Sequence, residues 1–180
     1  MQTRKKINSN LKILCETTIV SEINNTLKRC YDVNLPDNLI LLCRKAEKYI
    51  DIFAISKSCM DKVLKRVIEF AWSHMVSVGV HVFRKQLDKL LPMLGLLNFI
   101  KPRKGYVVVN YEGMKHFLYG KDVLHNNIIE IVEFPADCEL PYIVMGPKGE
   151  AVGYGRFAVF KGKPLIRNVL DLGWYLRSGV

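Results

Sequence analysis

The chain has 180 residues, of which 49% are hydrophobic and 24% are charged, so it can form one large or two small domains with a buried core. Its formal net charge of +10, from 27 basic and 17 acidic residues, favours a polyanionic partner such as RNA, DNA or an acidic membrane surface. The longest apolar run, residues 90–100, is about half the roughly 20 residues that a membrane-spanning helix needs, which excludes a helical membrane protein.

The first half of the chain is expected to form a small α+β unit. Apolar residues recur with a helical period in two segments, and β-branched or alternating apolar runs predict strands in three others. Pro92 is expected to end a further short helix. The predicted helices are residues 9–30, 59–71 and 86–91, and the predicted strands are residues 39–43, 49–55 and 76–83.

Five cysteines, at positions 15, 30, 43, 59 and 138, are widely spaced and include no CxxC pair. Zinc sites usually contain closely spaced ligand pairs, so no metal site is predicted. We expect buried, reduced thiols in an intracellular, cytoplasmic protein. The basic N-terminus is not followed by a continuous apolar segment, and we expect no secretion signal.

A polar, basic segment with turn residues, Lys101-Pro102-Arg103-Lys104-Gly105, is the predicted domain boundary. We therefore predict an N-terminal α/β domain over residues 1–100 and a second domain over residues 101–180. Short strands punctuated by glycine and proline predict that the second domain is a small β-barrel or sandwich, beginning with a strand at residues 106–110.

Within the second domain, Pro147-Lys148-Gly149 between two apolar runs predicts a hairpin turn. Gly153 and Gly155 on the returning strand indicate a barrel corner, with close contact to RNA as the less favoured alternative. The chain has no GxGxxG or Walker motif. Its four histidines are scattered and no nucleophile or metal-ligand motif frames them, so neither a catalytic site nor a cofactor is predicted.

The charge of the second domain is strongly polarised. Residues 105–140 contain two basic and six acidic residues, whereas residues 141–180 contain six basic and two acidic ones. Lys161, Lys163 and Arg167 are expected to crowd one loop, and lysine and arginine are the usual partners of phosphate. Of the aromatic residues nearby, Phe157 is expected in the core, whereas Tyr154 and Phe160 remain candidates for stacking on unpaired bases.

Three sequence blocks in the last third of the chain together resemble a PUA domain, a small β-barrel module of RNA-handling proteins. They are residues 117–123 (FLYGKDV), 141–157 (PYIVMGPKGEAVGYGRF) and 171–177 (DLGWYLR). With residues 76–79 (VSVG) and 97–101 (LNFIK), the order of the blocks is similar to that of the Nip-seven ribosome-biogenesis family of archaea and eukaryotes. This resemblance implies an α+β chain with an N-terminal α/β domain and a C-terminal PUA β-barrel.

The resemblance also implies a non-enzymatic, cytoplasmic RNA-binding factor of archaeal type, acting in rRNA processing and assembly of the large ribosomal subunit. Its implied partners are pre-rRNA or U- and A-rich single strands, ribosome-assembly proteins and the exosome. Lys163 and Arg167 match the family's basic cluster, whereas Pro164 and Leu170 stand where relatives can carry further basic residues. The candidate RNA-binding residues are Lys161, Lys163, Arg167, Arg156, Lys101, Arg103 and Lys104.

Two other functions remain open at this point. One is an accessory subunit that targets an RNA-modifying or RNA-degrading machine to its substrate. The other is a protein-binding adaptor whose barrel no longer holds RNA.

Overall fold

A computed structural model of the chain describes residues 14–60 and 78–178. The predicted helix 59–71, with the cationic face formed by Lys62, Lys65 and Arg66, falls largely outside the described residues. In the described part, the helices are α1 (Thr17–Tyr31), α2 (Lys57–Cys59), α3 (Tyr111–Leu118) and α4 (Trp174–Arg177). The strands are β1 (Leu39–Lys45), β2 (Ile50–Ser56), β3 (Val80–Gln86), β4 (Lys89–Pro92), β5 (Tyr106–Val109), β6 (Val123–Leu124), β7 (Ile128–Val132), β8 (Tyr142–Met145), β9 (Ala151–Phe160) and β10 (Lys163–Asp171).

The first sheet is a four-stranded antiparallel meander in the order β1-β2-β3-β4. Helix α1 packs on it through a stripe of buried residues that includes Ile19, Ile23 and Leu27, spaced four apart as on one helix face. The predicted strands 39–43 and 49–55 are confirmed. The predicted helix 9–30 begins later than expected, at Thr17, because Leu14 pairs with Leu42 as an isolated β-bridge.

The helix predicted for residues 86–91 is wrong. Gln86 pairs with Lys89, so Leu87 and Asp88 form a two-residue turn between β3 and β4. Leu87 has a positive φ of 53°, a backbone angle that two-residue hairpin turns commonly require. Pro92 is compatible with β4 because this strand lies at the edge of the sheet.

The second sheet has six strands in the order β6-β10-β9-β8-β5-β7, with β5 and β8 parallel and the other neighbours antiparallel. Side chains from all six strands and from α3 meet in one hydrophobic core, so the sheet wraps around that core as a small barrel. This core is formed by Val107, Val109, Phe117, Val123, Val144, Val152 and Ile166, with Ile128, Ile131 and others packed against it.

The two sheets are joined by a larger hydrophobic core to which both contribute. Tyr31, at the end of α1, donates a buried hydrogen bond of 2.5 Å to the carbonyl of Pro141, just before β8. Tyr154 of β9 donates one of 3.1 Å to the carbonyl of Met93, just after β4. Burial raises the pKa of both phenols, so both remain protonated donors. The two units therefore form one packed body.

Four cysteines form disulfides, so the expectation of reduced thiols is wrong for them. Cys15 is bonded to Cys43 and Cys30 to Cys138, with Cα–Cα distances of 4.8 and 5.6 Å. The partners are 28 and 108 residues apart, and only the fold brings them together. Cys59 is free and exposed. The sequence argument for an intracellular location consequently loses its basis, and the cytoplasmic location stays a prediction.

In the residues that the structure describes, no helix is both long enough and apolar enough to cross a bilayer. The domain division at residues 100 and 101 also stays a prediction. Residues 101–104 lie between the two sheets, and the backbone N–H of Arg103 donates to the carbonyl of Tyr31 at 2.9 Å. This connection is therefore held against α1.

The Cys30–Cys138 disulfide is expected to stabilise the junction of the two units. The double variant Cys30→Ser/Cys138→Ser should lose about 2–5 kcal/mol of unfolding free energy in urea, because the disulfide closes a loop of more than one hundred residues in the unfolded chain. Cys59→Ser is the matched control and should leave the unfolding midpoint unchanged. Ellman titration of the unreduced, denatured protein should find one thiol per chain; a count of five would contradict the disulfides.

Candidate nucleic-acid interface

The β9–β10 hairpin extends beyond the rest of the second sheet. β8 pairs with β9 only from Ala151 to Gly155, so in the described structure residues 156–160 pair with β10 alone. At the tip, Phe160 pairs with Lys163, and the two turn residues Lys161 and Gly162 have φ angles of +50° and +73°. These angles are typical of a type I′ turn, which matches the twist of the two strands. The predicted loop is therefore a tight, ordered hairpin end.

The two faces of this hairpin differ in chemistry because side chains alternate along each strand. One face continues into the barrel core through the fully buried Ile166, and it carries Phe157, Val159 and Pro164. The opposite face, which we call the basic face, is formed by Arg156, Ala158, Phe160, Lys163, Leu165 and Arg167. The register thus places Lys163 and Arg167 on one side together with Arg156, and Lys161 stands at the turn beside them.

Arg156 and Arg167 lie directly opposite each other in the β9–β10 register. Side chains in such pairs have Cβ atoms about 4.5–5.5 Å apart, and two like charges in this position destabilise a sheet. Within residues 14–60 and 78–178, no carboxylate forms a salt bridge with either arginine. Two neighbouring guanidinium groups without a protein counter-ion form a suitable site for an anion such as phosphate.

A cleft of about 510 Å³ borders the basic face where the first unit meets the second. Arg156 lies at its edge, but its walls also carry Glu22, Asp88, Asp137 and Glu139. Only two of these acids have cationic partners among the described residues: Lys85 binds Glu22, and Arg29 lies 3.5 Å from Asp137. Arg29 and Lys89 also line the cleft, so acidic and basic side chains are mixed there, whereas the charged residues of the basic face are all cations. A polyanion is therefore expected to follow the hairpin.

Lys101, Arg103 and Lys104 form a second basic cluster, just before β5. β8 separates β5 from β9, which puts the cluster about 10 Å from the hairpin across the sheet. Arg103 Nη1 lies 3.9 Å from Asp32. The pKa of Asp32 is lowered, first by a hydrogen bond from Lys28 and further by the charges of Arg103 and Lys104. The structure therefore separates the seven predicted residues into two groups.

The aromatic residues take different positions from those expected. Tyr154 is 1% exposed and belongs to the core. Phe157, predicted to be in the core, is 47% exposed, because it lies beyond the last residue of β9 that β8 covers. Phe160 is 58% exposed and lies on the basic face, so it is the aromatic residue placed to meet a ligand there.

The block DLGWYLR at residues 171–177 has a structural role. Arg177 donates hydrogen bonds of 3.0 and 2.8 Å to Asp171, which is 2% exposed, and a further one to the carbonyl of Leu118. A methyl group at Gly173 would collide with that carbonyl, and Gly120 also lies against the Arg177 side chain. These contacts tie α4 to the end of α3. The hydrogen bonds that Arg177 donates to Asp171 raise the pKa of Arg177 and occupy its guanidinium.

Among its described residues, the first unit contains a partly buried polar cluster that the sequence did not indicate. Arg84 donates two hydrogen bonds to Asp51, at 2.7 and 3.2 Å, and His81 Nε2 lies 3.1 Å from the same carboxylate. Burial lowers the pKa of His81, so the imidazole is neutral at pH 7. Among the described residues, no group of His, Cys, Asp and Glu side chains is arranged to hold a metal ion.

Comparisons with known proteins found similar sequences. Residues 105–180 match the profile of the UPF0113 PUA domain. A UPF0113 protein of Aeropyrum pernix is 32% identical over 106 residues, which are 57% of this chain and 54% of that protein, so the chain spans about half the length of this relative.

Two solved archaeal structures share the fold. One is a conserved PUA domain protein from Thermoplasma acidophilum (TM-score 0.61, 15% identity, 92% of this chain and 97% of that one). The other is a hypothetical protein of Pyrococcus horikoshii OT3 (TM-score 0.52, 16% identity, 91% and 97%). The chain is therefore an α+β protein in which an N-terminal α/β unit is followed by a C-terminal PUA domain, a module that generally binds RNA.

The repulsion between Arg156 and Arg167 can be tested by measuring the free energy of unfolding. Arg167→Glu replaces a repulsive cross-strand pair with an attractive one, and it should raise the unfolding free energy by about 0.2–1 kcal/mol in urea at low salt. Lys163→Glu is the matched control, because its cross-strand partner is the uncharged Phe160. Loss of stability in Arg167→Glu alone would show that the two arginines do not repel each other in the folded protein.

Proposed function

We propose that this chain is a non-enzymatic RNA-binding factor that holds RNA on the basic face of the β9–β10 hairpin. The observation that carries the proposal is the arginine pair, Arg156 opposite Arg167, with Lys163 on the same face and Lys161 at the turn. Side-by-side cations reduce the stability of a sheet, and such a cost is typical of a functional site.

The binding energy would come mainly from phosphate contacts. Lysine and arginine form charge-assisted hydrogen bonds with phosphate oxygens, and RNA releases condensed counterions when its phosphates are neutralised. The net charge of +10 adds long-range attraction that brings RNA to the protein. The separate cluster at Lys101, Arg103 and Lys104 would contact phosphates at a distance from the hairpin.

The cellular role that we propose is ribosome biogenesis, in rRNA processing and assembly of the large subunit. Its support is the resemblance of residues 76–79, 97–101, 117–123 and 171–177 to the Nip-seven family. Lys163 and Arg167 match the basic cluster of that family, and Arg156 takes a place on the neighbouring strand. Pre-rRNA or U- and A-rich single strands would be the ligands, and assembly proteins or the exosome the protein partners.

Reversing the charges of the hairpin should weaken RNA binding. The variant Lys161→Glu/Lys163→Glu/Arg167→Glu should bind a labelled single-stranded RNA more than ten-fold more weakly in fluorescence anisotropy. Each lost phosphate contact should also reduce the slope of log affinity against log salt by about 0.7, which is about 2 for three contacts. The loss should be similar for different RNA sequences, because phosphate contacts do not read bases.

A matched triple variant separates local contacts from total charge. Lys48, Lys57 and Lys148 are exposed residues outside the hairpin, and changing them to Glu alters the net charge by the same amount. This control should retain both most of the affinity and the wild-type salt slope, with circular dichroism confirming that both variants are folded. Equal losses in the two variants would place the RNA site elsewhere.

The absence of catalysis is a separate prediction. The chain carries no nucleophile motif, cofactor loop or metal-ligand spacing in its sequence. Incubation of pure protein with rRNA and common cofactors, followed by mapping of cleavage and modification, should give signals equal to those without protein. Reproducible turnover that a single substitution abolishes would refute the non-enzymatic assignment.

A further inference from the structure

We propose that Phe160 stacks on an unpaired base, so that the tip of the hairpin selects single-stranded over duplex RNA. This inference rests on the proposed RNA-binding function and adds a ligand class and a residue to it. Three features carry it: the position of Phe160 among the cations, its exposure, and the different chemistry of the opposite face.

Phe160 is surrounded by positive charge on the basic face. Lys163 lies directly across the hairpin from it, and Lys161 Nζ lies 5.4 Å from the centroid of its ring. A nucleotide whose base stacked on this ring would have its phosphate close to two ammonium groups. The ring and the charges are thus arranged to bind the two parts of a nucleotide together.

Phe160 is 58% exposed because it lies beyond the part of β9 that β8 covers, so its ring is accessible to a ligand. A large exposed aromatic side chain beside cations is typical of surfaces that bind unpaired bases, because every base presents a flat face for stacking.

The rest of the basic face fits an extended strand of RNA. Between Phe160 and Arg156, the register places the apolar pair Ala158 and Leu165. Phe160 and Arg156 are four residues apart, which corresponds to about 13 Å along a β-strand. The arginine pair is therefore placed to contact a different phosphate from the lysines at the tip, and no charged residue of the basic face lies between the two contacts.

Duplex RNA does not offer this combination of groups. Its base faces are stacked within the helix, so it can use the cations of the hairpin but not the ring of Phe160. The same residue that contributes to single-strand binding should therefore contribute nothing to duplex binding.

The opposite face of the hairpin supplies the matched control. Phe157 is an exposed phenylalanine on the same strand, but its cross-strand partner is Ile166 and its neighbours on that face, Val159 and Pro164, carry no charge. Phe157→Ala removes the same side chain without changing the basic face, which makes it the comparison for Phe160→Ala.

The experiment measures dissociation constants by anisotropy for a labelled single strand and for a labelled duplex over a range of salt concentrations. Wild type should favour the single strand. Phe160→Ala should lose about 5- to 160-fold in single-strand affinity, the range for one stacked base, with unchanged duplex affinity and unchanged salt slope. Phe160→Trp, which keeps an aromatic face, should retain single-strand binding, and Phe157→Ala should bind like wild type.

The outcomes separate this inference from the proposed function. If wild type binds neither RNA in a salt-dependent manner, both fail. Suppose that wild type binds RNA and that Phe160→Ala either keeps the wild-type affinity or loses equal affinity for the single strand and for the duplex. RNA binding then stands and the stacking site is refuted. A larger loss in Phe157→Ala than in Phe160→Ala also refutes it, because the apolar face would then hold the base.

Discussion

The candidate interface depends on one constraint, the alternation of side chains along the β9–β10 ladder. At the start of β9, a bulge at Val152 interrupts this alternation, so Val152 lies in the barrel core whereas Tyr154, two residues later, lies in the core shared by the two units. In the second half, where β8 no longer covers β9, the same alternation puts Arg156 and Phe160 on one free face. If the β9–β10 register shifted by one residue, the cations of the basic face would lie on the other side of the hairpin.

The junction of the two units fixes what surrounds that face. The Tyr31–Pro141 hydrogen bond and the Cys30–Cys138 disulfide hold α1 against the segment that precedes β8. Acidic side chains from both units consequently line the cleft next to Arg156. Basic side chains line the cleft too, whereas the charged residues of the basic face are all cations, so the hairpin is the more favourable path for a bound strand.

Local patterns in the sequence predicted much of this fold, because they reflect local physics. Short apolar runs on either side of a polar turn identified β1 and β2, and the Pro147-Lys148-Gly149 turn lies between β8 and β9 as expected. The turn at residues 87–88 was missed because leucine, here Leu87, is an unusual residue for a positive φ. Lys161-Gly162 was assigned to a loop for the same reason, since the residues typical of such turns are Asn-Gly and Asp-Gly.

Features that depend on contacts between residues far apart in the chain could not be predicted from the sequence. The disulfide partners are up to 108 residues apart, and no spacing rule pairs them. The exposure of Phe157 depends on where β8 ends. The position of Arg156 directly opposite Arg167 depends on the hairpin register. The sequence showed that this part of the chain is rich in basic residues. Only the fold shows that they divide into one group on the hairpin and another in the segment before β5.

The most direct test of the account is to map where RNA touches the protein. Ultraviolet crosslinking of wild-type protein to a single-stranded RNA, followed by tryptic digestion and mass spectrometry, reports the peptides in contact with bases. The account predicts that crosslinked nucleotides concentrate on peptides within residues 157–167, with Phe160 as the main attachment point. Crosslinks confined to residues 117–123 and 171–177, with residues 157–167 unmodified, would contradict it.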